Sequence, residues 1–207
     1  NGNIVNLLTN HRSQKAIVDY GNNLMITRGE PGTATADHLG GKVEIQTIDE
    51  IWIESREGVT YEGERSSDQR FIFYEERENG RKINDNGFLQ AKYLKACYQI
   101  IKETNNWDLI SKSKTNQPVI AILSRTNYLY RVSLNEFLDK LKGCFTTEEI
   151  KIIGDFNHKI RISTAHGFKG LEAEIVIILR ACDGSFPLLH PDNSLFEFFG
   201  QSEYQAL

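Results

Sequence analysis

Three short clusters in this chain carry the residue types that recognise phosphate. Thr9, Asn10, His11, Arg12 and Ser13 follow an apolar run at residues 3–8, and Ser124, Arg125, Thr126 and Asn127 follow another at residues 118–123. The third begins at Thr164, after the run at residues 159–163, and includes His166, Lys169, Gly170 and Glu172. Each cluster offers an Arg or a Lys, the donors suited to phosphate oxygens. Each also opens toward a turn or helix start, where unpaired N–H groups favour anions. A further apolar run, IVIIL at residues 175–179, comes directly after the third cluster. A strand, a polar turn and a strand then put a cation, an imidazole and a carboxylate at one edge of a sheet. That arrangement points to a nucleotide or a nucleic acid.

The elements that must position these clusters are legible as alternating strands and helices. The segments 3–8, 118–123, 159–163 and 174–179 read as buried strands, and the continuous runs VIAIL and IVIIL among them suit central strands of a parallel sheet covered on both faces. Between them, helical spacing predicts helices over 14–26, capped by Ser13, over 88–103 and over 130–141. Strands alternating with helices of this length indicate an α/β fold. In such sheets ligands collect beyond the carboxyl ends of the strands, where all three clusters are expected.

Residues 42–84 depart from that rhythm. Short segments alternate in polarity, Asn79-Gly80 signals a tight hairpin and Glu57-Gly58 a weaker one. A small antiparallel β insertion is expected, with one face on the core. Residues 29–41 read as a mobile loop.

Composition bounds the chemistry. The 207 residues suffice to bury a core. The net charge of -4 requires any nucleic-acid contact to use a local patch. Cys97, Cys144 and Cys182 form no close pair and read as reduced thiols of a cytoplasmic protein. No apolar run approaches the roughly 20 residues of a membrane span, so no membrane partner is expected. There is no Gly-x-x-x-x-Gly-Lys-Ser/Thr phosphate loop and no aspartate pair ending a strand to hold magnesium. The chain alone is therefore expected not to hydrolyse a nucleotide. The histidine spacings match no zinc signature, so no metal site is expected; a metal-dependent hydrolase using His11 and His166 is the weakest reading.

In order along the chain, four segments resemble the UvrD/Rep/PcrA family of superfamily 1 helicases. Leu7 to Ser13 (LLTNHRS) is similar to motif IV, typically Leu-x-x-Asn-Tyr-Arg-Ser. Ala121 to Asn127 (AILSRTN), with Arg131, is similar to the segment after it, Ala-x-Leu-Tyr-Arg-Thr-Asn-x-x-x-Arg. Thr164 to Glu172 resembles motif V, Thr-x-His-x-x-Lys-Gly-Leu-Glu, and Gly184 to Pro187 the Gly-x-Phe-Pro that follows. The insertion at 42–84 has no counterpart.

The resemblance implies that residues 1–207 are one RecA-like domain, the second of two in a DNA helicase, with helices on both faces of its sheet. The first, carrying the phosphate loop and the magnesium-binding acids, would lie upstream and hold ATP and Mg2+, so no cofactor is expected in this chain alone. The family normally carries a large accessory domain before motif V; only residues 143–159 fill that gap here. Arg12 matches the arginine that reaches the γ-phosphate from across the domain boundary. His11 stands where a tyrosine usually stacks on adenine. Lys169 and Gly170 match nucleotide-cleft positions, and Glu172 the carboxylate that bonds a ribose hydroxyl. Arg125, Asn127, Arg131, Thr164 and His166 match contacts to single-stranded DNA. Ser124 replaces the family's base-stacking aromatic, which implies weaker single-strand binding unless Tyr128 or Tyr130 substitutes; both tyrosines read first as packing residues. The implied activity is ATP-driven helicase or translocase work. The alternative is a non-catalytic RecA-like scaffold or adaptor in a nuclease–helicase complex.

Overall fold

Pro118 ends a loop, and the β-branched residues after it form the strand around which the larger part of the molecule is built. A computed structural model describes residues 9–24, 31–53, 55–57, 73–75, 77–78, 81–82, 85–114 and 117–182. Two compact units result, Asn1–Thr47 and Ile48–Leu207.

In the smaller unit, β1 (Thr9–Asn10) leads into α1 (Lys15–Leu24), and the chain returns to pair β2 (Thr33–Ala34) parallel to β1. The apolar run at 3–8 lies outside the described residues. Helix α1 begins two residues after Ser13, the expected cap. Its Ala16 amide is satisfied instead by the Gly40 carbonyl at 3.2 Å, one answer to the orphan donors of a helix start. The loop expected to be mobile is held over its described residues 31–41. The Asn22 side chain donates to the Gly32 carbonyl at 2.8 Å and accepts its amide at 3.0 Å. The Gln14 side chain accepts the Gly40 amide at 3.2 Å. The next residue, Gly41, has φ 91, and a Cβ there would lie 2.6 Å from Gln14 Cβ. Only glycine fits both restrictions.

The larger unit opens with Ile51 and Ile53 buried and Trp52 exposed between them. The alternation read in the sequence holds here, although these residues join no ladder. Next come β3 (Ser55–Glu57), β4 (Phe73–Glu75), β5 (Arg77–Glu78) and β6 (Arg81–Lys82). The insertion is not wholly antiparallel, because β3 and β4 pair parallel. The hairpin expected at Glu57-Gly58 runs into residues outside the described ones. The strands on either side of Asn79-Gly80 do pair antiparallel, with Glu78 opposite Arg81, as that dipeptide predicts.

Helix α2 (Asp85–Lys102) follows, then α3 (Thr104–Lys112), a helix beyond those that apolar spacing predicts. Then come β7 (Ile120–Ser124) and a hairpin of β8 (Tyr128–Leu129) and β9 (Val132–Ser133). The helix expected from residue 130 is α4 (Leu134–Gly143), delayed by that hairpin and capped by Ser133 Oγ, which accepts the Glu136 amide at 3.2 Å. Two short helices fill the gap before the motif V segment. They are α5 (Thr147–Ile153), with a capping box between Thr146 and Glu149, and α6 (Phe156–Lys159), capped by Asp155. The sheet is completed by β10 (Ile160–Thr164) and β11 (Ile175–Ile178).

The sheet order is β10-β7-β11, all parallel. Every residue of central β7 is buried, as its unbroken apolar run predicts. On one face Ile120, Ile122, Ile160 and Ile177 pack against Ile101, Ile110, Phe137 and Leu141 of the helices. On the other, Ala121 and Leu123 are covered by Phe168, with Leu171 and Ala173 beside it. Among the described residues a turn, and no helix, provides that cover. On β11 the expectation of two buried faces fails: Ile177 is buried, but Val176 and Ile178 are 47% and 53% exposed. No helix among the described residues is long and apolar enough to cross a membrane.

Candidate nucleic-acid interface

Parallel pairing puts the carboxyl ends of β7, β10 and β11 at the same edge, with Thr164 opposite Ser124 and Ile178 opposite Leu123. The second and third polar clusters emerge there side by side. Arg125, Asn127, Thr164 and His166 thus follow strand ends at one edge of the larger unit, and Lys169 is tied to that turn through the His166 carbonyl. Gly170 and Glu172 lie on the segment that crosses back over the sheet face, because β11 starts beside Ile120 at the opposite edge, so the sequence expectation of one shared edge is not met for Glu172.

The turn after β10 is defined by its own hydrogen bonds. Thr164 Oγ1 accepts the Gly167 amide at 2.9 Å, and the Thr164 carbonyl accepts the Phe168 amide at 3.0 Å. Lys169 donates its amide to the His166 carbonyl at 3.2 Å. A Cβ at Gly167 would lie 2.9 Å from Ser163 Oγ and 3.0 Å from Thr164 Oγ1, so a side chain there would displace the hydroxyl that organises the turn. Gly170 has φ 90, the left-handed region that glycine enters freely. Phe168 is driven into the sheet face at 7% exposure. Its burial holds the turn down and leaves His166, Lys169 and Glu172 exposed around it.

After β7 the chain makes a tight loop and then the hairpin. Thr126 Oγ1 donates to the Tyr128 carbonyl at 2.8 Å, and the Leu134 amide to the Asn127 carbonyl at 3.1 Å. Tyr128 faces Ser133 and Leu129 faces Val132 across the ladder, so Tyr130 and Arg131 form the two-residue turn. Both have positive φ, 48 and 69, as the hairpin turn with matching twist requires. For residues other than glycine this costs of order 1–3 kcal/mol and persists only where the surroundings impose it. The surroundings here are aromatic. The Tyr130 ring stacks on Tyr93 at 5.7 Å between centroids, and the Arg180 guanidinium lies 4.9 Å from the Tyr130 centroid. Burial, aided by a hydrogen bond with Tyr130, pushes the Tyr93 phenol well above its ordinary range. Arg180 itself follows β11 with φ 56. Nothing in residue spacing signals Tyr93 or Arg180 here; the packing of α2 on the core and the place of β11 beside β7 bring them to Tyr130.

His11 and Arg12 belong to the smaller unit. The Asn10 side chain accepts the amides of Arg12 at 2.9 Å and Ser13 at 2.8 Å. This local turn leaves the His11 and Arg12 side chains exposed beyond β1. Among the described residues no group of three or more His, Cys, Asp or Glu is placed to hold a metal ion.

Residues 65–202 match the model of the UvrD-like helicase C-terminal domain. The chain belongs to this family. The matched span contains both clusters at the rim of the UvrD-like domain and the Arg131 hairpin, but starts after His11 and Arg12. No curated protein and no solved structure matches the chain.

Proposed function

We propose that this chain is the second motor domain of an ATP-dependent DNA helicase or translocase. The observation that carries the reading is the single rim at the carboxyl ends of β7 and β10, where Arg125, Asn127, Thr164, His166 and Lys169 gather within the family-matched span. In this reading Arg125 and Arg131 take phosphates of a single strand. Asn127, Thr164 and His166 donate to the same backbone. Lys169, Gly170 and Glu172 face a nucleotide bound by an upstream phosphate-loop domain, with Glu172 on the ribose. His11 stacks on the base, and Arg12 is the arginine finger. Its guanidinium stabilises charge on the transferring phosphoryl group only when the two motor domains close. Closure and reopening then move the rim along the strand. ATP and Mg2+ belong to the partner domain in this scheme; this chain supplies charge and grip.

The test is DNA-stimulated ATP hydrolysis by the full-length protein. Arg12→Ala is expected to lower turnover by on the order of 10³–10⁵ with unfolding unchanged. Turnover at the wild-type level in that variant would remove Arg12 from the role. Arg131→Ala is expected to weaken single-strand binding and flatten its salt dependence by about 0.7 in the log–log slope, the loss of one phosphate contact.

A further inference from the structure

We infer that Tyr128 is the base-stacking residue of the single-strand site, in place of the aromatic that position 124 lacks. The inference rests on the single-strand reading of the rim given above. Ser124 is 3% exposed at the end of the central strand, and its carbonyl accepts the Ala165 amide at 2.8 Å. No ring is present there, and the position is closed to a ligand. Of the two nearby tyrosines, Tyr130 is committed, with Tyr93 stacked on its ring and the Arg180 guanidinium 4.9 Å from its centroid.

Tyr128 is in the opposite condition. It is 64% exposed, while the next residue on the same strand, Leu129, is fully buried. Strand alternation thus anchors the hairpin through Leu129 and turns the phenol outward. Its backbone is fixed on two sides, by the bond from Thr126 Oγ1 to its carbonyl and by ladder pairing with Ser133. A rigid backbone and two side-chain torsions make stacking inexpensive in entropy. Arg125 lies three residues before Tyr128 and Arg131 three residues after it, one at each end of the loop and hairpin. An aromatic between two phosphate-binding cations is the composition that grips a single strand without reading its sequence.

The experiment uses the full-length protein and fluorescence anisotropy with two oligonucleotides of equal length, one oligothymidine and one abasic. Tyr128→Ala is expected to weaken binding of oligothymidine by about 5- to 150-fold, the range for loss of one base stack. Tyr128→Phe and Tyr128→Trp are expected to retain it. The abasic strand, which offers only backbone, is expected to bind wild type and Tyr128→Ala alike. Two outcomes would overturn the inference: unchanged oligothymidine binding in Tyr128→Ala, or equal weakening on both strands, which would mark a displaced hairpin. Failure of the wild-type protein to bind oligothymidine would instead overturn the single-strand reading itself, and this inference with it.

Discussion

The amide of Ala165 donates to the carbonyl of Ser124 at 2.8 Å, carrying the β10–β7 ladder to the last residue of both strands. Arg125 and His166 therefore leave the sheet from adjacent points. Two polar segments that are forty residues apart in sequence become one rim because the backbone pairing does not stop short of them.

The turn that carries His166 and Lys169 depends on a missing side chain. In Gly167→Ala the new methyl would push away the hydroxyls of Ser163 and Thr164, and the bond from the Gly167 amide to Thr164 Oγ1 would be lost. The expected cost is about 1 kcal/mol, the net worth of one such hydrogen bond. Gly143→Ala is the control in the same unit, because a Cβ there meets nothing within 4 Å. It is expected to be neutral or stabilising by up to about 1 kcal/mol. Urea unfolding of both variants makes the comparison.

Burial on the sheet divides otherwise similar residues. Ile122 is fully buried against the helices, whereas Ile178 on β11 is 53% exposed. Ile122→Ala is expected to cost about 2–5 kcal/mol through lost contact and a residual cavity. Ile178→Ala is expected to cost well under half of that. Equal losses in thermal unfolding would mean that the exposed face of β11 is covered in solution.

Acid sensitivity is expected at Glu149. Burial alone would raise its pKa, but the hydrogen bond from Lys102 at 2.9 Å, the Thr146 amide at 2.7 Å and the Lys102 charge outweigh that and lower it. A carboxylate depressed in the folded state adds stability above its unfolded pKa, and that stability disappears as pH falls through the folded value. The contribution is therefore complete at neutral pH and is lost below the usual carboxylate range. Glu149→Gln can still accept the Thr146 amide but removes the charge that faces Lys102, and is expected to reduce stability at neutral pH by about 0.5–1.5 kcal/mol. It should also flatten the acid limb of a stability–pH profile. An unchanged acid limb in the variant would assign the sensitivity to other groups.

Much of the architecture was legible because it follows from short-range pattern. Continuous apolar runs mark β7 and β11, and alternating isoleucines mark β10, so all three fall within a residue or two of expectation. Asn79-Gly80 signals a hairpin because both residue types tolerate positive φ, and the strands that flank it pair antiparallel. Helix α4 starts later than its apolar spacing suggests because Tyr130 and Arg131 adopt positive φ, which no local propensity favours. Tertiary stacking on Tyr93 and Arg180 accounts for it. The short helices α3, α5 and α6 carry too few turns for a clear apolar period, and caps more than periodicity mark α5 and α6.

The amino-acid order alone determined which residues could meet phosphate, that their clusters end strands, and the family these motifs resemble. Those properties reside in residue type and spacing, which act locally. Tertiary structure alone decided that β10 and β11 flank β7, that a turn anchored by Phe168 closes one sheet face, and that Tyr130 is engaged while Tyr128 is presented. Strand order and burial depend on contacts between distant segments, whose energies no local window of sequence contains.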